Sequence, residues 1–250
     1  MIKSTFLAIS LFFSVSAHAI VSVDSLHLGK KKQGFYGDIT TSLDGSYGNS
    51  ERIRLQGDGT LNWKLANTLY YLSLSTAYGK SLGLENQNES FLHARRIANI
   101  TPSFAWEIFS QLERDKFASL RLRGLAGGGI RLLLMQRRPD QAFFVGIGSF
   151  YSHELIDDSE QSTESDIKGN LYLIYKKQLT ENAIFSNTLY AQPVLNNYQD
   201  FRILENMGLK IKISETLALK LDIEVRHDSR PPVDVENTDI KYKTGIEYNF

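Results

Sequence analysis

The 250-residue chain contains no cysteine. Disulfide staples, thiolate metal centres and cysteine nucleophiles are therefore excluded. Proline is scarce, at 5 residues, so little interrupts extended backbone. Net charge is absent, with 28 Lys+Arg against 28 Asp+Glu. No global field draws the chain to nucleic acid. Beyond the N-terminal segment, no apolar run reaches the ~18 residues that a membrane-crossing helix needs. The few histidines, His27, His93 and His153 among them, form no pair at metal-ligand spacing. Neither a metal nor a cofactor is expected.

What is present points elsewhere. Lys3 supplies a short positive start, "FLAISLFFSV" (6–15) an apolar core, and Ala17-His18-Ala19 a small-x-small cleavage site. Together they read as a secretory signal peptide, residues 1–19, that takes the mature chain out of the cytoplasm. Residues 20–33 form a lead segment, and 34–250 one large domain. Tyr and Phe are abundant, at 12 and 14, a mix that favours strands.

Period-two alternation dominates from Gly34 onward. In "LALKLDIEVR" (217–226), Leu217, Leu219, Leu221, Ile223 and Val225 oppose Ala218, Lys220, Asp222, Glu224 and Arg226. The final "TDIKYKTGIEYNF" (238–250) sets Ile240, Tyr242, Ile246, Tyr248 and Phe250 against Asp239, Lys241, Lys243 and Glu247. This is the strand template, not the helical one. Such runs predict about twelve strands, an even number as in bacterial outer-membrane barrels. They fall near 34–47, 51–63, 68–79, 89–100, 103–113, 116–132, 142–153, 166–176, 184–192, 200–213, 217–227 and 238–250. Residues 65–67, 101–102, 179–182 and 214–216 read as tight turns. Residues 81–88, 154–165 and 228–237 read as longer polar loops. Arg95 and Arg96 stand side by side, so one faces outward or the strand bulges.

A soluble β-barrel also alternates, with its apolar face inside. Two features favour a transmembrane, antiparallel, up-and-down β-barrel. Aromatic residues such as Trp63, Tyr70, Tyr78, Trp106, Tyr151 and Tyr190 cluster near strand ends, like the girdles at membrane interfaces. The closing Phe250 resembles the terminal signal by which the barrel-assembly machinery recognises outer-membrane barrels. Outer-membrane lipids and that machinery are then the expected partners, with small solutes and without nucleic acid.

Three stretches tempt a chemical reading. "GLAGGGI" (124–130) lacks the Gly-Lys-Ser/Thr ending of a phosphate loop, and no helix follows. Glycines there let a strand bend or a bulky neighbour cover it. "HDSR" (227–230) places His227 and Ser229 two residues apart, similar to the His-x-Ser pair of outer-membrane lipid A deacylases. Glu224 or Glu236 could orient the imidazole in such a triad. Arg230 stands where that motif has Asn, and Pro231-Pro232 follow, so no catalytic residue is assigned. The third feature is the charged face. Arg52, Arg54, Asp58, Glu107, Glu113, Arg121, Arg123, Arg202, Lys210, Lys220, Asp222, Glu224, Asp239, Lys241 and Glu247 are expected to face the lumen. They would form either a salt-bridged filling or a selective pore.

Three short pieces, in order, resemble the salt-induced outer membrane protein family of Gram-negative bacteria. They are "GNSE" (48–51), "ERDKFASLRLRGLAGGGIRLLL" (113–134) and "HDSRPP" (227–232) before the closing strand. The resemblance covers most of the mature chain. Ser50 stands in place of the usual Thr, and Gly127-Gly128-Gly129 is richer in glycine than the family pattern. The resemblance implies an outer-membrane barrel and a link to osmotic stress. It implies no reaction.

Overall fold

A computed structural model describes residues 33–47, 51–135, 140–158, 160–232 and 235–250. The signal-peptide reading, nearly all of the lead segment and residues 48–50 of the "GNSE" stretch lie outside the described residues.

Twelve antiparallel strands form one closed barrel in sequence order. They are β1 (Gly34–Ser46), β2 (Arg52–Lys64), β3 (Thr68–Ser81), β4 (Leu84–Thr101), β5 (Phe104–Asp115), β6 (Leu120–Met135), β7 (Gln141–Ile156), β8 (Thr163–Gln178), β9 (Ala183–Val194), β10 (Asn197–Lys212), β11 (Leu217–Asp228) and β12 (Thr238–Asn249). Each expected strand is present. The four expected tight turns lie on the rim that carries the start of β1 and the end of β12.

The opposite rim differs from expectation. Residues 81–88 are not a long loop, because β3 and β4 continue until only Leu82 and Gly83 separate them. Both adopt positive φ, 50° and 77°, the geometry of a tight hairpin turn whose twist matches its strands. Residues 154–165 likewise shrink to the connection 157–162, as β7 runs to Ile156 and β8 starts at Thr163. The polar residues that read as loop are the ends of paired strands. Of the three expected long loops, residues 229–237 alone keep their length, so the alternation of short and long connections is weaker than the sequence suggests.

Closure joins β1 to β12. Asp38 pairs with Asn249 and Thr41 with Ile246, while Gly37 and Phe250 exchange two backbone hydrogen bonds of 3.1 Å. No edge strand is left on this sheet, the condition for surviving in hydrocarbon. The seam is short. Among the described residues its ladder ends at Thr41, whereas β1 pairs with β2 along its whole length.

The faces are distributed inside-out. Among the described residues, buried polar and charged side chains outnumber buried apolar ones. Phe35, Leu43, Leu55, Leu74, Ile147 and Tyr242 are exposed on the outside. A soluble barrel of this size would show the reverse. Among the described residues the interior holds small apolar knots, one of Tyr172, Ile174, Tyr190 and Leu204, another of Tyr71 and Phe91. Tyr190, expected in a girdle, is turned inside and packs on Tyr172 with ring centroids 5.2 Å apart. An aromatic row does form outside near the terminal rim. Phe35 stacks on Trp63 at 5.4 Å, and Trp63 on Tyr70 at 5.2 Å.

The glycine-rich segment explains itself by packing. A Cβ on Gly127 would lie 2.3 Å from the Ser149 carbonyl oxygen, and one on Gly129 2.5 Å from that of Ile147. Glycine lets β6 approach β7 this closely.

Candidate functional site

Alternation sends every second side chain of each strand inward, and closure gathers them into one charged interior. Two ion-pair networks occupy it. In the first, Glu154 of β7 takes both Nη atoms of Arg202 (β10), at 2.8 and 3.1 Å. It also takes Nη2 of Arg123 (β6) at 2.8 Å and Nζ of Lys168 (β8) at 3.1 Å. Arg202 Nε reaches Asp228 of β11 at 2.6 Å. Arg123 then links to Glu113 of β5 at 3.0 Å, and Glu113 to Arg226 of β11 at 3.2 Å. Strands β5 and β11 are six places apart in a ring of twelve, so this last pair spans the full lumen.

The second network centres on Glu107 of β5. The Tyr172 hydroxyl donates to Glu107 Oε1 at 2.8 Å and accepts from Arg131 Nε at 2.9 Å. Arg131 and Arg95 lie 3.4 and 3.7 Å from Glu107 Oε2. The Tyr172 ring rests on Gly146, where a Cβ would sit 2.0 Å from its Cζ.

The far wall carries more pairs. Lys241 of β12 meets Glu89 of β4 at 3.0 Å, and Lys243 meets Glu224 at 3.5 Å. Lys220 stands 3.7 Å from Asp222, and Lys210 pairs with Glu247. Asp58 accepts from Ser75 Oγ at 2.6 Å and from Gln56 at 3.0 Å. Among the described residues the interior also holds a cavity of about 90 Å³ beside the networks and one of about 70 Å³ on the far wall. Arg95, Glu154, Arg202 and Arg226 border the larger, and Asp38, Asp58, Asp222 and Lys243 the smaller.

The expected lumen residues thus fall into groups. Glu107, Glu113 and Arg123 are buried in the networks, and Glu224 and Glu247 are buried in the far-wall pairs. Arg54, Asp58, Arg202, Lys210, Lys220, Asp222, Asp239 and Lys241 are half-buried on the inward face. Arg52 stays exposed at the rim, paired with Asp44 at 2.8 Å. Arg121 does not face the lumen. The register slips between Leu120 and Leu122, which buries Leu120 and leaves Arg121 exposed, donating to Gln161 at 3.3 Å. A bulge inverts parity, and counting by twos cannot see it.

Reading by motif missed Glu89, Glu154, Lys168 and Arg131, whose signal was parity with neighbours already assigned inward. It also missed two polar residues on the outer face. Glu205, between Ile203 and Met207 on β10, accepts from Asn187 Nδ2 at 2.8 Å. Arg96 points outward while Arg95 points in, which settles how the adjacent arginines are placed.

The hydrolase constellation does not form. His227 Nδ1 lies 2.8 Å from Thr238 Oγ1, and its ring packs by Phe201. Ser229 Oγ accepts from the Phe201 N–H at 2.8 Å. Glu224 is committed to Lys243 inside the barrel. His93 is buried among aromatic rings, and no cluster of metal-binding side chains occurs among the described residues.

Solved structures share this architecture. The chain aligns with the NanC porin at 8% identity and a TM-score of 0.54, over 85% of this chain and 98% of that one. The KdgM porin aligns at 15% identity and a TM-score of 0.45, over 86% and 99%. The translocator domain of the autotransporter NalP from Neisseria meningitidis aligns at 14% identity and a TM-score of 0.46, over 89% and 91%. At such identities the likeness is one of fold. No curated protein sequence matches the chain. Residues 39–250 match the family described as "Protein of unknown function, DUF481", and the chain belongs to that family.

Proposed function

We propose that the protein is an outer-membrane barrel that serves as a narrow, passive passage for small polar or ionic solutes. On this reading a signal peptide exports it, and the assembly machinery inserts it through a signal that includes Phe250. The rim bearing the termini and tight turns faces the periplasm. Its work is tied to salt or osmotic stress, and it catalyses no reaction. The inside-out distribution of side chains carries the reading, since an apolar exterior around a charged interior is the arrangement a lipid solvent demands.

The lumen sets the size of the solute. Each cavity is far below the ~300–1,000 Å³ that holds a drug-sized molecule. The Arg226–Glu113 pair also crosses the lumen between opposite strands. Water and small ions fit such a passage better than sugars do. Opposed charges on the walls would create a transverse field that tunes selectivity.

Single-channel recording of the refolded protein in planar bilayers tests this. Small conductance steps are expected, and they grow when the cross-lumen pair is removed. Silence in both wild type and Arg226→Ala would make the barrel a static envelope component. Slower recovery of a deletion strain after a rise in salt is the matching physiological result.

A further inference from the structure

The outer surface carries a groove larger than either interior cavity, of about 620 Å³. Ala94, Ser110 and Ala126 lie side by side across β4, β5 and β6 and make its low floor. Leu72 and Ile108 help to wall it, and Trp63 and Tyr70 stand at its end near the terminal rim. Short side chains beside tall ones leave an apolar slot in the outer face.

Arg96 borders the same groove. A cation on the outward face of a membrane barrel is costly unless it reaches headgroup level or finds a partner. Its guanidinium sits 4.7 Å from the Trp106 ring centre and 5.8 Å from that of Tyr70. Trp106 is close to the start of β5, so the side chain leans toward the terminal rim. Arg96 makes no ion pair or hydrogen bond with a described residue, and its Nε is buried without a partner. Arg95, one residue away, has Glu107. Arg96 is thus a guanidinium held against two aromatic rings, with Nε buried, at the mouth of an apolar slot.

We propose that this groove binds a glycerophospholipid of the periplasmic leaflet, with one acyl chain on the Ala94–Ser110–Ala126 floor and the phosphodiester on Arg96. The proposal rests on the membrane-barrel reading. Charge selects the ligand. An anionic phosphate suits a guanidinium that lacks a carboxylate, through charge-assisted hydrogen bonds. The apolar floor selects the tail, so inorganic phosphate alone lacks half of the contacts.

The chain's two tryptophans, Trp63 and Trp106, both flank the site. Quenching of intrinsic fluorescence by phospholipids with brominated chains therefore reads it directly. The refolded protein in neutral detergent is titrated with brominated phosphatidylglycerol and, separately, with brominated diacylglycerol. Saturable quenching by the phospholipid is expected, with a midpoint about tenfold weaker in Arg96→Gln, the loss of one charge-assisted contact. Ala94→Leu fills the floor and should weaken it as well. Circular dichroism and heat-modifiable gel migration establish that each variant is folded. Excess inorganic phosphate should leave the midpoint unchanged, and displacement by phosphate alone would overturn the lipid assignment. Linear quenching, equal for both lipids and indifferent to Arg96→Gln, would overturn the site and leave the barrel reading standing. Absence of quenching by brominated bilayers altogether would instead place the tryptophans outside the membrane and bring down the underlying reading.

Discussion

Arg226 and Glu113 face each other across the whole diameter of the barrel, with Nη2 and Oε1 3.2 Å apart. The pair is a strut and an obstacle at once. Removing Arg226 leaves Glu113 Oε1 without its partner, while Oε2 keeps Arg123 and the Gln111 amide. Arg226→Ala should lower stability by about 1–3 kcal/mol, the cost of an under-satisfied buried group. It should also raise conductance. Replacing both partners with neutral residues of similar volume (Arg226→Met with Glu113→Gln) should cost less than the single change, because no buried charge is orphaned. Thermal unfolding in detergent checks the order. A double variant less stable than Arg226→Ala would show that attraction, rather than avoided desolvation, dominates.

Gly146→Ala should be severe for a single methyl group. The Tyr172 ring occupies the place of the added Cβ, and its hydroxyl is tied to both Glu107 and Arg131. The ring cannot swing away without breaking those bonds. Overpacking of this kind costs about 1–3 kcal/mol. Tyr172→Leu in the Gly146→Ala background should recover part of the loss, as measured by the unfolding midpoint in detergent.

Leu221 and Asp222 are adjacent on β11 and point to opposite faces. Leu221→Arg should cost roughly 2–4 kcal/mol if it lies at the bilayer midplane. Asp222→Asn should fold normally, since the near-isosteric amide stays polar on the inward face. Folding yields into liposomes separate the two. Equal yields for Leu221→Arg and wild type would mean that the outward face does not meet lipid.

Phe250 has a backbone role and a ring role. Its N–H and carbonyl group both bond to Gly37, and its ring lies over the same glycine, where a Cβ would be 2.8 Å from the ring. Deleting the residue should therefore weaken the seam by about 1–3 kcal/mol, two backbone hydrogen bonds' worth. Phe250→Ala keeps those bonds. It should refold in detergent like wild type, yet reach the outer membrane poorly in cells and accumulate in the periplasm. Wild-type membrane levels for Phe250→Ala would refute a recognition role for the ring.

Strand number, strand order and most facing directions were legible in the sequence, because a period of two is local and repeats along the chain. Ile53 and Arg54, or Leu221 and Asp222, declare opposite faces from their chemistry alone. What was not legible had non-local causes. Arg121 left the lumen because of one slipped residue near Leu120. Leu82-Gly83 became a tight turn because β3 and β4 stay paired as far as Ser81 and Leu84. Tyr190 turned inward because its parity, not its amphipathic character, decides its side. The partners of the lumen charges were hidden most deeply. Glu113 and Arg226 are 113 residues apart in sequence, and only closure of the ring sets them face to face. Amphipathic alternation by itself determined that a sheet would form with one apolar and one charged face. The tertiary structure alone decided which charges meet, because electrostatic pairing acts over a few ångströms of space and those distances exist only once the barrel has closed.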